Sequence, residues 1–489
     1  MKAPAPLPNA LLGFLLAALV PAQPVYIVHD DPAPMQALAA GYRQHGLNVR
    51  LEDQRVFRGT AESRPAQAIV MYVHGTLDPE VERRLIGYAE RGGRLIVLHH
   101  GAASGKVAAT RWLPFLGLEI LPRGAPEHAW DVLRGECRLV NLNPSHYVTS
   151  HGVVYDRRIR YTPSDSPSSA QQLPAIVLPA TEIFLNQLFT DGRRKTVLLG
   201  LNTTIGGKQY TQDRGGWLLP AGEGHVFYFQ AGHQASDFEH PGYARILLNA
   251  VLWRPGSAVR SPIVAVDAFH NDEKETHYRW EGTDPGGFSS LAALLAGMGA
   301  RTRSLRQRLT TQYLAGVDCL ILAAPDTPAE SGAPRYITNL EVQSLAAWVR
   351  NGGTLVLLGN NRGNAGFVHL NRLARRFGIR FAERTVGGAA ADGRLKFDVA
   401  PSSPVFPRGG AFYAEDVVPL EIAGTARPLL QHNGEVIMAI AQFGRGTVFA
   451  LGDPWIYNKY IDTEDNWLLA SELFRYLLFE SELRRSVWP

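Results

Sequence analysis

The chain has 489 residues, too many for one compact core at roughly 100–200 residues per domain, so two domains are the natural reading. Hydrophobic residues at 45% and charged residues at 19% exclude a disordered chain, and a net charge of +4 without any Lys/Arg cluster excludes a nucleic-acid footprint. With only Cys137 and Cys319 present, one in each expected domain, a disulfide framework is excluded as well.

At the amino terminus, Lys2 precedes an apolar run from Ala10 to Val20 and the small residues of Val20-Pro21-Ala22. That order is a signal peptide over residues 1–22, and it implies a periplasmic or secreted protein. The run falls short of the ~20 residues a bilayer span needs, and no later stretch reaches that length, so no stable membrane span is expected after cleavage. The first strand is expected at Val25-Tyr26-Ile27-Val28.

Two separated stretches then repeat one plan. The first, VERRLIGYAERGGRLIVLHHGAASG from Val81, and the second, VQSLAAWVRNGGTLVLLGNNRGN from Val342, each read as amphipathic helix, glycine pair, apolar strand and polar loop. Asp78-Pro79 supplies a cap and an N1 proline for the first helix, and Thr338 with Glu341 has capping-box spacing for the second. Gly92-Gly93 and Gly352-Gly353 end the helices, and the strands Leu95 to Leu98 and Leu355 to Leu358 have the continuous apolar character of a doubly covered parallel sheet. Each half closes on a glycine turn, a strand and a helix: GEGHVFYFQAGH before Tyr243 to Trp253, and GRGTVFALGDPW before Trp467 to Phe479. The proline-bounded segment RPGSAVRSP, residues 254–262, separates them, which sets domains at 23–256 and 262–489. The expected fold is α/β, two doubly wound, flavodoxin-like domains with mainly parallel sheets, whose ligands bind beyond the carboxyl ends of the strands. The loops so located are His99 to Gly105 and Gly232 to Asp237 in the first half, and Asn360 to Asn364 and Asp453 to Asn458 in the second.

The first half resembles the ThuA-like (trehalose-utilisation) family of the class I glutamine amidotransferase-like superfamily. The matching elements are LIVLHHGAAS with Trp112 downstream, SHYVTSHG at Ser145 to Gly152, Thr181-Glu182-Ile183-Phe184, and GHVFYFQAGH with the LLNAVLW helix. They cover most of residues 24–253, with His146-Tyr147-Val148 standing where the family has His-Pro-Ile. The second half is similar to the amidotransferase-like module appended to bacterial unsaturated rhamnogalacturonyl hydrolases, through FHNDEKETHYRWEGTDPGGFS, AAPDTPAE, the Asn351 to Ile379 run and GRGTVFALGDPWIYNKYID. The catalytic barrel of those hydrolases is absent here, so their glycosidase activity does not carry over.

An amidotransferase needs a cysteine at the turn after its central strand. The corresponding loops read His99-His100-Gly101 and Asn360-Asn361-Arg362, and Ser104 lacks the glycine pattern of a serine elbow, so amide transfer is not expected. Eleven of the fifteen histidines precede residue 255. The family's loop arrangement implies that His99, His100, His146, Glu182 and His233 approach one cleft, where His100 or His233 serves as base and Glu182 as partner. Histidine beside carboxylate is also compatible with a divalent metal, but no HExxH-type spacing occurs, so no metal ligand is assigned and no cofactor is required. Trp112 is counted with the substrate-binding candidates. In the second half, Asn271, Glu273, His277, Trp280, Asn360, Asn361, Asp453, Trp455 and Tyr457 alternate amides or carboxylates with aromatic rings, as the rim and face of a sugar require. The expected function is carbohydrate catabolism, acting on or binding a glycoside or oligosaccharide. The alternative is a non-catalytic carbohydrate-binding or scaffold protein that partners a polysaccharide-degrading enzyme, with DPWIYN as loop packing. The oligomeric state stays open.

Overall fold

The protein is seen in a computed structural model that describes residues 23–60, 65–106, 108–109, 111–120, 131–163, 170–185, 187–190, 195–256, 261–271, 276–386, 393–401 and 403–479. The expected signal peptide and Glu273 lie outside the described residues. Two large sheets, of ten and nine strands, organise the chain.

The ten-stranded sheet takes the order Val49–Asp53, Val25–His29, Ala68–Tyr72, Arg94–Leu98 and Gly224–Phe229, all parallel. It continues antiparallel through Lys208–Ala221, Thr196–Ile205, Asp131–Asn141, Gln171–Leu185 and Arg157–Tyr161. The second sheet repeats the parallel part with Arg301–Leu305, Ile263–Asp267, Cys319–Ala323, Thr354–Leu358 and Gly446–Leu451. Its antiparallel flank is Glu435–Phe443, Leu420–Ile422 and Ile379–Phe381, with Ala426–His432 also paired to Glu435–Phe443. The parallel strands Val25–His29, Arg94–Leu98, Gly224–Phe229, Thr354–Leu358 and Gly446–Leu451 are expected from the sequence, whereas the antiparallel flanks are additional, so each sheet is mixed.

Local chemistry explains the elements that recur. Asp78 accepts from the Glu80 amide at the start of the helix Pro79–Glu90, and Thr338 with Glu341 forms a reciprocal capping box on Asn339–Arg350. Both helices run into glycines with positive φ, Gly92 at 97° and Gly352 at 115°, which lets the chain turn back into the strand. The closing strands begin at Gly224 and Gly446, where a Cβ atom would stand 2.3 Å from Ala89 O and 2.0 Å from Val349 O respectively, so strand and helix end approach each other at a distance only glycine allows. Alternate residues of the first strand enter opposite clusters, Val25 and Ile27 on one face and Tyr26 and Val28 on the other, as a sheet covered on both faces requires.

Charged side chains join the two sheet units. Arg408 meets Asp156 and, at 3.0 Å, Glu472, while Arg158 meets Asp462 and lies 4.7 Å from the Trp467 ring centroid. No described helix is long and apolar enough to cross a membrane.

Candidate active site

The strand Arg94–Leu98 is buried along its whole length, and where it ends the chain turns sharply into a short 3-10 turn, His99–Ala102. His99 takes the left-handed conformation, φ 43°, which is costly for a residue with a Cβ and marks a position held by its surroundings. Those surroundings are specific. Tyr228 Oη donates to the His99 carbonyl at 2.9 Å, and the fully buried Trp112 donates its indole N–H to the Gly101 carbonyl at 2.6 Å. The His99 ring is itself oriented, because Nδ1 lies 2.6 Å from the Gln230 carbonyl oxygen. A carbonyl only accepts, so Nδ1 carries a proton and the ring turns Nε2 inward.

That nitrogen faces Glu182. The Glu182 oxygen Oε2 lies 3.1 Å from His100 Nε2, 3.4 Å from His233 Nδ1 and 3.5 Å from His99 Nε2, and His99 Nε2 is 3.2 Å from His233 Nδ1. Glu182 comes from the antiparallel flank, on Gln171–Leu185, and His233 from the loop after Gly224–Phe229, so three separate segments converge. The other carboxylate oxygen, Oε1, receives two N–H groups of Arg134 at 2.5 and 2.9 Å. Contacts with His99 and Arg134 hold the Glu182 carboxyl well below the usual carboxylate range against its desolvation. Arg134 is the firmer hold, since its guanidinium is in hydrogen-bonding geometry whereas Oε2 and His100 Nε2 have no hydrogen-bond partner among the described residues. Burial, reinforced by the neighbouring imidazoles, pushes His100 down to about 2, and burial and His99 lower His233. Burial thus favours the uncharged forms of His100 and His233 beside the Glu182 carboxylate.

Further residues steady this arrangement. Asp237 Oδ2 accepts from the Thr181 hydroxyl at 2.8 Å and from the His233 amide at 2.8 Å, tying the Glu182 strand to the His233 loop. Tyr72 Oη donates to the His233 carbonyl at 2.9 Å. On the opposite side, His74 lies over His100 with ring centroids 3.7 Å apart. Its loop is pinned by Asp30, which accepts from the His74 and Gly75 amides at 2.6 and 2.7 Å, and by buried Lys106, which donates to Gly75 O at 2.5 Å. The adjoining cleft, about 470 Å³, is bordered by Arg134, Thr181, Glu182, His233 and Gln234.

Of the histidines expected to meet, His146 does not. It caps the short helix Tyr147–Ser150 by accepting from the Val148 amide at 3.2 Å, and its ring stacks on Trp253 5.7 Å away. Trp112 is likewise no substrate plate: it is a core residue beneath the His99–Ala102 turn. The residues that sequence reasoning did not single out are His74 and Arg134, distant in sequence and joined to the site only by folding, and Gln230 and Asp237, which flank His233 but were given no role of their own.

The expected sugar-binding residues of the second unit divide. His277, Asn360, Asn361, Asp453 and Tyr457 border one polar cleft of about 350 Å³, together with Lys459. Asn360 donates to Tyr278 Oη at 3.3 Å and Asn361 to Asp416 Oδ2 at 3.2 Å. Asp453 is 3% exposed, its Oδ1 has no hydrogen-bond partner among the described residues, and burial raises its carboxyl well above the ordinary range. Asn271, Trp280 and Trp455 are buried instead. Asn271 donates to the Ala323 and Ala324 carbonyls, Trp280 donates to Arg303 O, and Trp455 sits in the core against Phe412. Both cysteines are buried, Cys137 and Cys319 each within a strand, so neither thiol stands at the turn after a central strand.

Comparison with known proteins adds to this geometry. Residues 281–474 match a domain of unknown function, DUF4350. No curated protein matches the chain. Among solved structures, the N-terminal domain of mmIFT52 is 19% identical, covering 44% of this chain and 96% of its own with a TM-score of 0.36. A ThuA-like protein from Bacteroides uniformis is 16% identical over 49% of this chain and 94% of its own, TM-score 0.34, and one from Parabacteroides merdae is 12% identical over 49% and 93%, TM-score 0.34. Residues 18–254, which carry the histidine cluster, match the family described as ThuA, trehalose utilisation, and the first half of the chain is thus a ThuA-like domain.

Proposed function

We propose that this is an exported protein of carbohydrate catabolism, built as tandem domains over residues 23–256 and 262–489, which acts on a glycoside or oligosaccharide in the cleft of the first. The observation that carries the reading is the meeting of three imidazoles within 3.1–3.5 Å of one Glu182 oxygen. General acid/base groups must reach one substrate directly or through a single water, and side chains scattered over ~8 Å or more could not. The description of the matched family, trehalose utilisation, supports a sugar as the substrate class. Export rests on the apolar run Ala10 to Val20.

Between the two candidate bases the chemistry favours His233. His100 is pushed down to about 2 and is a weak proton acceptor, whereas His233, lowered by burial and His99, borders the open cleft where a substrate can reach it. Glu182, ionised and fixed by Arg134, orients the imidazole and steadies the charge that forms on it. Amide transfer is not part of the reading, because both thiols are buried in strands.

A second role, carbohydrate binding without turnover, is favoured in the second unit by the polar cleft around Asn360, Asn361 and Asp453. Its likeness to the module appended to unsaturated rhamnogalacturonyl hydrolases belongs with that role.

The test is a screen of purified protein against plant oligosaccharides and 3-keto glycosides with product analysis. Wild type is expected to convert at least one member, and His233→Ala to lower the rate by roughly 10²–10⁴-fold. No turnover on any member, together with unaltered binding in His100→Ala and Asp453→Ala, would remove the catalytic reading.

A further inference from the structure

We infer that His99, His233, Glu182 and His100 form a binding site for one divalent transition-metal ion at the tip of the strand Arg94–Leu98. The inference concerns the cleft of the proposed function and depends on that reading only for the chemistry the ion would serve, since the binding itself is independent of turnover.

The geometry carries it. His99 Nε2, His233 Nδ1 and Glu182 Oε2 form a triangle with sides of 3.2, 3.4 and 3.5 Å. An ion with bonds of ~2.0–2.1 Å to nitrogen and oxygen in tetrahedral geometry separates its ligands by about 3.3 Å. The triangle is therefore close to one face of such a coordination shell. His100 Nε2 stands 3.1 Å from the same carboxylate oxygen, and one donor atom from each of the four residues lies within 4.8 Å of every other.

Three features set this cluster apart from a hydrogen-bonded one. The carboxylate oxygen at its centre is on a residue 6% exposed and has no hydrogen-bond partner among the described residues, nor has His100 Nε2. Buried polar atoms left this way are costly unless something else satisfies them. His99 Nδ1 is committed to the Gln230 carbonyl, which turns Nε2 toward the same point; an outer hydrogen bond of this kind is what orients a metal-ligating histidine. Arg134, bonded to Glu182 Oε1, leaves Oε2 as the single inward-facing carboxylate oxygen. Three imidazoles and one carboxylate select a borderline ion such as zinc over calcium or magnesium, which prefer all-oxygen shells. The cleft beside Glu182 and His233 leaves room for a substrate oxygen to approach the ion.

The experiment is zinc titration of the chelator-stripped full chain, with bound metal counted by elemental analysis after desalting and with cobalt substitution as a spectroscopic readout. Wild type is expected to retain one zinc per chain and to give the visible absorption of a low-coordinate cobalt site. Glu182→Gln and His233→Ala should each weaken zinc at least ~10-fold, with unchanged far-UV circular dichroism, while His146→Ala binds as wild type. His99→Ala is the stronger lesion, and the two variants on the cleft side keep the test decisive should it not fold. Absence of stoichiometric zinc in the wild type, or equal retention in Glu182→Gln and His233→Ala, overturns the site. Zinc bound without turnover on any glycoside would leave the site standing and count against the proposed function alone, whereas turnover by a wild-type chain that retains no stoichiometric zinc would leave the proposed function standing and overturn the site.

Discussion

At the residue scale, the site is held by side chains whose value lies in the atoms they satisfy. Trp112 fills the space beneath the His99–Ala102 turn and gives the Gly101 carbonyl its donor. Trp112→Phe keeps most of the apolar volume and orphans that buried carbonyl, so it should lower stability by about 1–3 kcal/mol in urea unfolding; an unchanged midpoint would contradict the role. In the second cleft, burial raises the Asp453 carboxyl well above the 3.8 around which it ionises in the unfolded chain. The folded state thus binds the extra proton, and its contribution to stability is lost as pH rises above that value. Asp453→Asn removes this dependence. The variant is predicted to gain stability relative to wild type between about pH 4 and about pH 7, and the same difference at both pH values would refute the buried, protonated acid. Sequence reasoning reached His99, His100 and His233 because they lie in loops at strand ends, and Glu182, which lies within Gln171–Leu185, through the resemblance to the ThuA-like family. It read Trp112, Trp280 and Trp455 as sugar plates because an aromatic near a polar loop looks the same in sequence whether it faces a ligand or plugs the core beneath. Arg134 and Asp237 gave no such sign, since their meaning exists only opposite Glu182 and His233.

At the scale of elements, the duplicated helix, glycine and strand unit was legible because its signals are local: caps, apolar periodicity and paired glycines. The same unit supplies a test. Gly446 lets the strand Gly446–Leu451 press against the end of Asn339–Arg350, and an added Cβ would meet Val349 O at 2.0 Å. Gly446→Ala, and Gly224→Ala against Ala89 O in the first unit, should each cost about 1–3 kcal/mol through overpacking, measured by chemical denaturation. A neutral effect at both would mean the approach is looser than described. The antiparallel flanks were missed although two of their hairpins carry a recognisable mark. Gly206-Gly207, with φ of 57° and 78°, joins Ile205 to its partner Lys208, and Asn433-Gly434, at 49° and 80°, joins His432 to Glu435. Both are two-residue turns of the kind that needs positive φ at each centre. The flank strands Arg157–Tyr161 and Ala426–His432 are partly exposed and carry little apolar signal of their own.

At the scale of the whole molecule, the two sheet units are linked by buried charge. Glu472 is 1% exposed at its side chain, and Arg408 meets both it and Asp156. Arg408→Ala takes from buried Glu472 its charged partner and from Asp156 one of its contacts, Asp156 keeping the Val177 amide and His240, and removing one partner of a buried pair commonly costs about 3–5 kcal/mol. Calorimetry should find the wild type unfolding in a single transition and the variant losing stability or splitting into two; a variant indistinguishable from wild type would show that the units are held by other contacts. The remaining question is which cleft meets the sugar, and the most direct answer is a crystal structure of the full chain soaked with an oligosaccharide that the turnover screen identifies. The account predicts a sugar ring in the first cleft with a hydroxyl or glycosidic oxygen within hydrogen-bonding reach of His233 or Glu182. A sugar seated only among Asn360, Asn361 and Asp453, with the first cleft empty at saturating ligand, would contradict it.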